Sequence, residues 1–145
     1  MSKYDCLKIE NQLCFPLYAC SKEIVRKYRP LLSEFDLTYT QYIVMMVLWD
    51  EDKTNVTNLG DRVFLDSGTL TPVLKKLEQK GFINRKRAFM DERNRVLELT
   101  EKGKALQDKM KGVPEEMRKC MGLEAGEAET LYKLLYKILA NVEEK

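Results

Sequence analysis

The stretch LDSGTLTPVLKKLEQKG, residues 65–81, runs directly into FINRKR and then, after AFMDERN, into RVLEL. Asp66 or Ser67 can cap a helix, Leu70, Leu74 and Leu77 share one of its faces, and Gly81 closes it. Pro72 lies near the first turn, where a missing amide proton costs least. The two runs that follow are strand-like, and the polar stretch between them is longer than a tight turn needs, so a protruding hairpin is expected. A capped helix feeding straight into a hairpin leaves few folds open.

The flanking segments narrow the choice. From about Leu7 to Tyr28 the apolar residues keep helical spacing: Leu13, Leu17, Cys20 and Ile24 form one stripe, with Cys14, Tyr18, Val25 and Tyr28 beside it. A face that wide is expected to be covered on both flanks. RPLLSEFDL reads as a short helix or turn. Thr38 with Gln41 is a capping box that opens YIVMMVLW, and DEDKT ends that helix. VTNLGDRVFL is a further short helix. After the hairpin, Thr100 caps a helix carrying Leu106, Met110, Val113, Met117 and Cys120 on one stripe, bent at Pro114 and broken at Gly122. A last helix carries Leu131, Leu135, Ile138 and Val142. Three helices, a recognition helix, a hairpin and two helices make a mainly α fold with a small β-hairpin wing. This is a winged helix-turn-helix flanked by helical dimerisation arms. The 145 residues are read as one domain, with arms at about 1–35 and 101–145 and a DNA-binding lobe at about 36–100.

Charge is uneven along the chain. Between Arg62 and Arg95 nine Lys/Arg oppose four acidic residues, a net +5 in a chain whose total is +2. Positive charge on a helix and hairpin suits the phosphates of double-stranded DNA, whose released counterions drive binding. Ser67, Thr69 and Thr71, following Asp66, offer short donors and acceptors for base edges or phosphates. Lys75 and Lys76 suit the backbone, as do Arg85 and Arg87 on the wing. Arg93 near the hairpin tip suits a minor groove, with Asp91 bracing it. One recognition helix per subunit implies a homodimer on a pseudo-palindromic operator.

Other chemistry is excluded or left without support. The absence of histidine removes Ser-His-Asp catalysis and histidine metal sites. There is no C-x2-C pair, no GxxxxGK[ST] loop and no GxGxxG, so neither metal, cofactor nor enzyme activity is expected. MSKYDCLKIENQ lacks the apolar run of a signal peptide, and no stretch is long enough to span a membrane. A cytoplasmic location is therefore expected, where Cys6, Cys14, Cys20 and Cys120 would be reduced thiols.

LDSGTLTPVLKKLEQKG, RKR-x3-DER and LTEKG together resemble the MarR family of dimeric transcriptional regulators. NQLCFPLYA, KYRPLL and LTYTQY are similar to its organic-hydroperoxide-sensing, OhrR-like branch. The resemblance implies that Cys14 is the peroxide-reactive thiol near the dimer interface. It also implies that Tyr28 and Tyr39 reach that thiol from the partner subunit. Oxidation to sulfenic acid and then to a disulfide would release the operator. The resolving thiol would be either a small cellular thiol or a second cysteine; Cys120 fits that second cysteine and a buried apolar stripe equally.

The residues agree with this reading. A thiolate attacks a peroxide, and phenolic hydroxyls donating to the sulfur favour that form. Pro16 deprives the Gln12 carbonyl of its helical donor, so the helix should start late or bend there, bringing helix-terminal amides towards Cys14. Without the motif, Cys14 reads as a small buried hydrophobe. The rival readings are a repressor released by a small aromatic ligand, a thiol peroxidase, and a global virulence or stress regulator of the same branch.

Overall fold

The computed structural model describes residues 2–86 and 95–143. Two compact units divide the chain, Met1–Lys111 and Gly112–Lys145.

The first unit opens with two short 3-10 turns, Asp5–Leu7 and Ile9–Asn11. The Gln12 side chain ties them down, its amide donating to the carbonyls of Cys6 and Lys8, each at 2.8 Å. Helix α1 then runs from Cys14 to Ser33. It starts late, as Pro16 requires: a residue without an amide proton fits within the first turn, whose N–H groups have no intrahelical acceptor. The expected start near Leu7 is corrected accordingly. RPLLS is not a separate element but the last turn of α1, which tolerates Pro30 near its end. Asp36 takes a left-handed conformation (φ 57°) beyond that end, and the Leu37 amide returns to the Leu32 carbonyl at 3.2 Å.

Helix α2, Tyr39–Asp50, begins with the expected capping box and is buried on nearly every side through Gln41, Tyr42, Val44, Met45, Val47 and Leu48. Strand β1, Lys53–Asn55, follows, then α3, Val56–Val63, and α4, Ser67–Gln79. Strands β2, Ile83–Lys86, and β3, Val96–Leu99, complete an antiparallel sheet in the order β1-β3-β2, with Thr54 and Arg85 both opposite Leu97. Helix α5 is Glu101–Lys109, capped by Thr100. Leu48, Leu59, Leu70, Leu74, Leu77, Ile83 and Leu97 are each 1% exposed or less, so α2, α3, α4 and the sheet share one core.

Strand β1 was not legible in the sequence. DEDKT reads as a polar break, and its strand character comes only from pairing with β3.

The second unit holds α6, Val113–Met121, and α7, Ala125–Val142. The expected single bent helix is therefore two helices, α5 and α6, with Pro114 in the first turn of the second, where it is best tolerated. Gly122 ends α6 with φ 68°. Cys120 is exposed rather than buried on a stripe. Leu131, Leu135, Ile138 and Val142 lie along α7 as expected, yet they too are exposed in the protomer.

Candidate functional site

Helix α4 carries the predicted DNA-facing residues. The Asp66 carboxylate accepts the Thr69 amide at 2.6 Å and so closes the start of the helix. Hydrogen bonds from the Thr69 backbone and then its side chain hold this carboxyl below the usual aspartate range. Asp66 thus acts by ordering the helix. Ser67 and Thr69 are exposed beside it. Thr71 donates its hydroxyl to the Ser67 carbonyl at 2.7 Å, leaving its oxygen as an acceptor. Pro72 stands sixth in the helix, beyond the first turn, so the Gly68 carbonyl has no amide donor from that position. Lys75 and Lys76 are exposed. Among the described residues neither has an ion-pair partner.

The other basic residues are placed differently. The Arg85 side chain, 9% exposed, holds Glu78 on α4 through Nε and Nη2, each at 3.2 Å. Arg85 therefore ties the wing to the recognition helix instead of pointing outward. Lys86 pairs with Glu98 at 2.7 Å, and Arg62 with Asp50 and Glu51 at 3.0 and 3.3 Å. Lys86 and Arg62 are thus answered by carboxylates outside this segment, and Lys75 and Lys76 remain as exposed cations on α4. Arg87, Asp91 and Arg93 lie outside the described residues.

The thiol and the tyrosines occupy opposite ends of α1. Cys14 is its first residue and is exposed. Tyr28 lies fourteen residues further on, roughly 20 Å along the axis at 1.5 Å per residue. There it meets the start of α2: the Tyr28 and Tyr39 ring centroids are 4.7 Å apart. Tyr42, which the sequence reading missed, completes the cluster at 5.7 Å from Tyr28 and 6.3 Å from Tyr39. Its signal was available, three residues after Tyr39 and so on the same helical face. Burial, reinforced by Tyr39 and Tyr42, pushes the Tyr28 phenol up to about 12. Burial also raises Tyr39 and Tyr42. All three phenols therefore stay protonated throughout the neutral range.

Neighbouring apolar groups at the thiol end lack cover. Leu13, Phe15 and Tyr18 are 76%, 45% and 61% exposed, and Leu32 is the buried residue of α1. Within one protomer the flanks of this helix stay open, as expected of a dimerisation arm. Cys6 and Cys20 are exposed and unpaired, as is Cys120. Among the described residues no helix is long and apolar enough to cross a membrane, and no group of three or more His, Cys, Asp or Glu converges on a metal-sized site.

Residues 26–110 match the family described as "Transcriptional regulator SarA/Rot". The organic hydroperoxide resistance transcriptional regulator of Bacillus subtilis (strain 168) is 42% identical over 147 aligned positions, covering 99% of this chain and 98% of that protein. The HTH-type transcriptional regulator SarZ of Staphylococcus saprophyticus is 49% identical over 88% of this chain and 87% of its own length. Among solved structures, reduced AbfR bound to DNA superposes with a TM-score of 0.79 at 32% identity, covering 99% of this chain and all of that one. Disulfide-formed AbfR gives 0.65 at 34% identity, over 94% and 96%. The chain belongs to the SarA/Rot family of transcriptional regulators, winged-helix proteins of the MarR type, and within them to the OhrR-like branch.

Proposed function

We propose that this protein is a homodimeric repressor whose operator affinity is controlled by oxidation of Cys14 by organic hydroperoxides. The observation that carries the reading is the separation of Cys14 from the Tyr28–Tyr39–Tyr42 cluster along one helix. A second copy in antiparallel register along α1 would bring each thiol to the other chain's phenols, and the uncovered apolar residues around Cys14 supply contact area for such a pairing. The whole chain then acts as one MarR-type domain, with arms at about 1–35 and 101–145 and a DNA-binding lobe at about 36–100, working in the cytoplasm.

The chemistry follows from the groups. The Cys14 thiolate attacks the terminal oxygen of ROOH; an S–O bond forms as the O–O bond breaks, and RO⁻ leaves as ROH after taking up the proton lost by the thiol. Sulfur is oxidised by two electrons to the sulfenic acid. A second thiol, cellular or Cys120, then condenses with it to a disulfide and water. Phenols held neutral are suited to donating to the thiolate before the attack. On the DNA side, Ser67, Thr69, Thr71, Lys75 and Lys76 face the operator, and Asp66 orders the helix they stand on. Relatives support the pairing of DNA binding with thiol oxidation: AbfR has been crystallised reduced on DNA, overoxidised on DNA, and in a disulfide form.

The test needs no operator. Reduced protein receives one equivalent of cumene hydroperoxide or of hydrogen peroxide, and each thiol is mapped by mass spectrometry. Fast, selective modification of Cys14 by the organic peroxide is expected, with a Cys14–Cys120 bridge marking the two-cysteine route. A Cys14 that stays reduced under either peroxide would overturn the reading.

A further inference from the structure

Gln41 is the buried polar side chain of the described core, 3% exposed. It stands at the meeting point of two elements that the proposed switch must connect. Its Oε1 accepts the Thr38 amide at 3.1 Å, closing the capping box that starts α2, and accepts Lys80 Nζ at 2.9 Å. Lys80 is the C-cap of α4. The same ammonium donates to the Asp36 carbonyl and lies 3.6 Å from the Asp36 carboxylate. One cation therefore fastens the end of the recognition helix to the loop after α1 and to the first turn of α2.

Both of these places adjoin the tyrosines. Tyr39 is the first residue of α2, next to the capping residue Thr38, and Tyr42 follows Gln41 directly. The capping box binds Thr38 and Gln41 reciprocally, and Tyr39 lies between them in the same turn, so movement of its backbone carries both with it. Asp36 holds a left-handed backbone without being glycine, a conformation that costs free energy and that a donor to its carbonyl helps to hold. At the other end, the Lys80 carbonyl accepts Lys102 Nζ at 2.8 Å and the Gly81 carbonyl accepts the Thr100 hydroxyl at 2.6 Å. The end of α4 is thus anchored to the base of the wing as well. Lys80 is turned inward, with 23% of its side chain exposed. It is not among the cations that α4 offers to phosphate.

We infer that Lys80, held by Gln41 and Asp36, is the positioning residue that couples the tyrosine cluster to the recognition helix. This rests on the proposed function, since the displacement it transmits originates at Cys14 oxidation. Coupling of this kind is a difference between two states, so it is read as a ratio of affinities and not as an affinity.

The test uses the full-length protein and a duplex selected from a random-sequence pool by the reduced wild type. Fluorescence anisotropy gives Kd before and after one equivalent of cumene hydroperoxide for wild type, Lys80→Met and Lys80→Arg; mass spectrometry reports Cys14 oxidation in each. The expected result is equal Cys14 oxidation throughout, a large oxidised-to-reduced Kd ratio for wild type and Lys80→Arg, and a ratio at least tenfold smaller for Lys80→Met. Hydrogen exchange at the 78–81 amides of the free protein supplies a second readout that needs no DNA. Oxidation is expected to change it in wild type and leave it unchanged in Lys80→Met. A wild-type ratio preserved in Lys80→Met, or the same exchange response in both proteins, sinks the coupling role alone. A wild type whose affinity and exchange ignore oxidation removes the proposed function and the coupling together.

Discussion

At the scale of single residues, the decisive features are a thiol at a helix start and phenols that keep their protons. Cys14→Ser should abolish peroxide release while leaving reduced operator binding within about threefold, since Cys14 takes no part in the core. Tyr28→Phe and Tyr39→Phe each remove one donor. A hydrogen bond to a charged group is worth about 1.5–3 kcal/mol, so each should slow Cys14 oxidation by roughly tenfold or more in stopped-flow measurements. The raised phenol of Tyr28 also has a stability consequence. Above its unfolded value of 10.0 the unfolded chain loses this proton first, so stability should fall between pH 10 and about 12 and be insensitive to this group below 10. Denaturant titration of wild type and Tyr28→Phe across that window checks the sign: the variant should lose less. Local capping made Asp66 legible as the helix cap, whereas Cys14, Tyr28 and Tyr39 stand out only through the resemblance to the OhrR-like branch, since by chemical type alone Cys14 reads as a small buried hydrophobe. The Arg85–Glu78 pair was not legible, because it spans a helix–strand boundary that no local pattern reveals.

At the scale of elements, the recognition helix, the hairpin strands and three of the caps could be read in advance because each rests on short-range chemistry. Thr38, Asp66 and Thr100 all accept the amide three residues on, as their positions before apolar runs suggested. Strand β1 and the separation of α5 from α6 could not be read. The first depends on β3, distant in the chain; the second lies in a continuous stripe that a helix of either length would satisfy. The junction of wing and α5 is tight. A side chain carbon at Gly103 would lie 2.2 Å from the Phe82 carbonyl oxygen. The Gly103 carbonyl also accepts the Trp49 indole N–H at 2.9 Å. Gly103→Ala should therefore destabilise by about 3 kcal/mol or more, seen as a lowered urea midpoint. Thr100→Ala, which loses the cap of α5 and the bond to Gly81, should cost about 1–2 kcal/mol in the same assay.

At the scale of the whole molecule, the protomer leaves apolar surface that a solitary chain has no use for. Leu135 and Ile138 on α7 are 36% and 38% exposed, with Tyr132 and Tyr136 more open still. Leu135→Glu combined with Ile138→Glu should convert the dimer to monomer in sedimentation analysis and raise the operator Kd at least a hundredfold, since an unpaired carboxylate buried in an apolar interface is costly. The winged-helix architecture was evident from element order, and the apolar stripes of the first and last helices were legible as dimer contact area that a lone protomer leaves exposed. The length of α1 carries a further implication. If thiol and phenols meet only across two chains, the reactive centre obeys mass action, and dilution acts as its inhibitor. The second-order rate constant of Cys14 with cumene hydroperoxide should then decline as protein concentration drops through the dimer dissociation constant, so that a freshly made, scarce regulator is deaf to peroxide until enough of it has accumulated to pair.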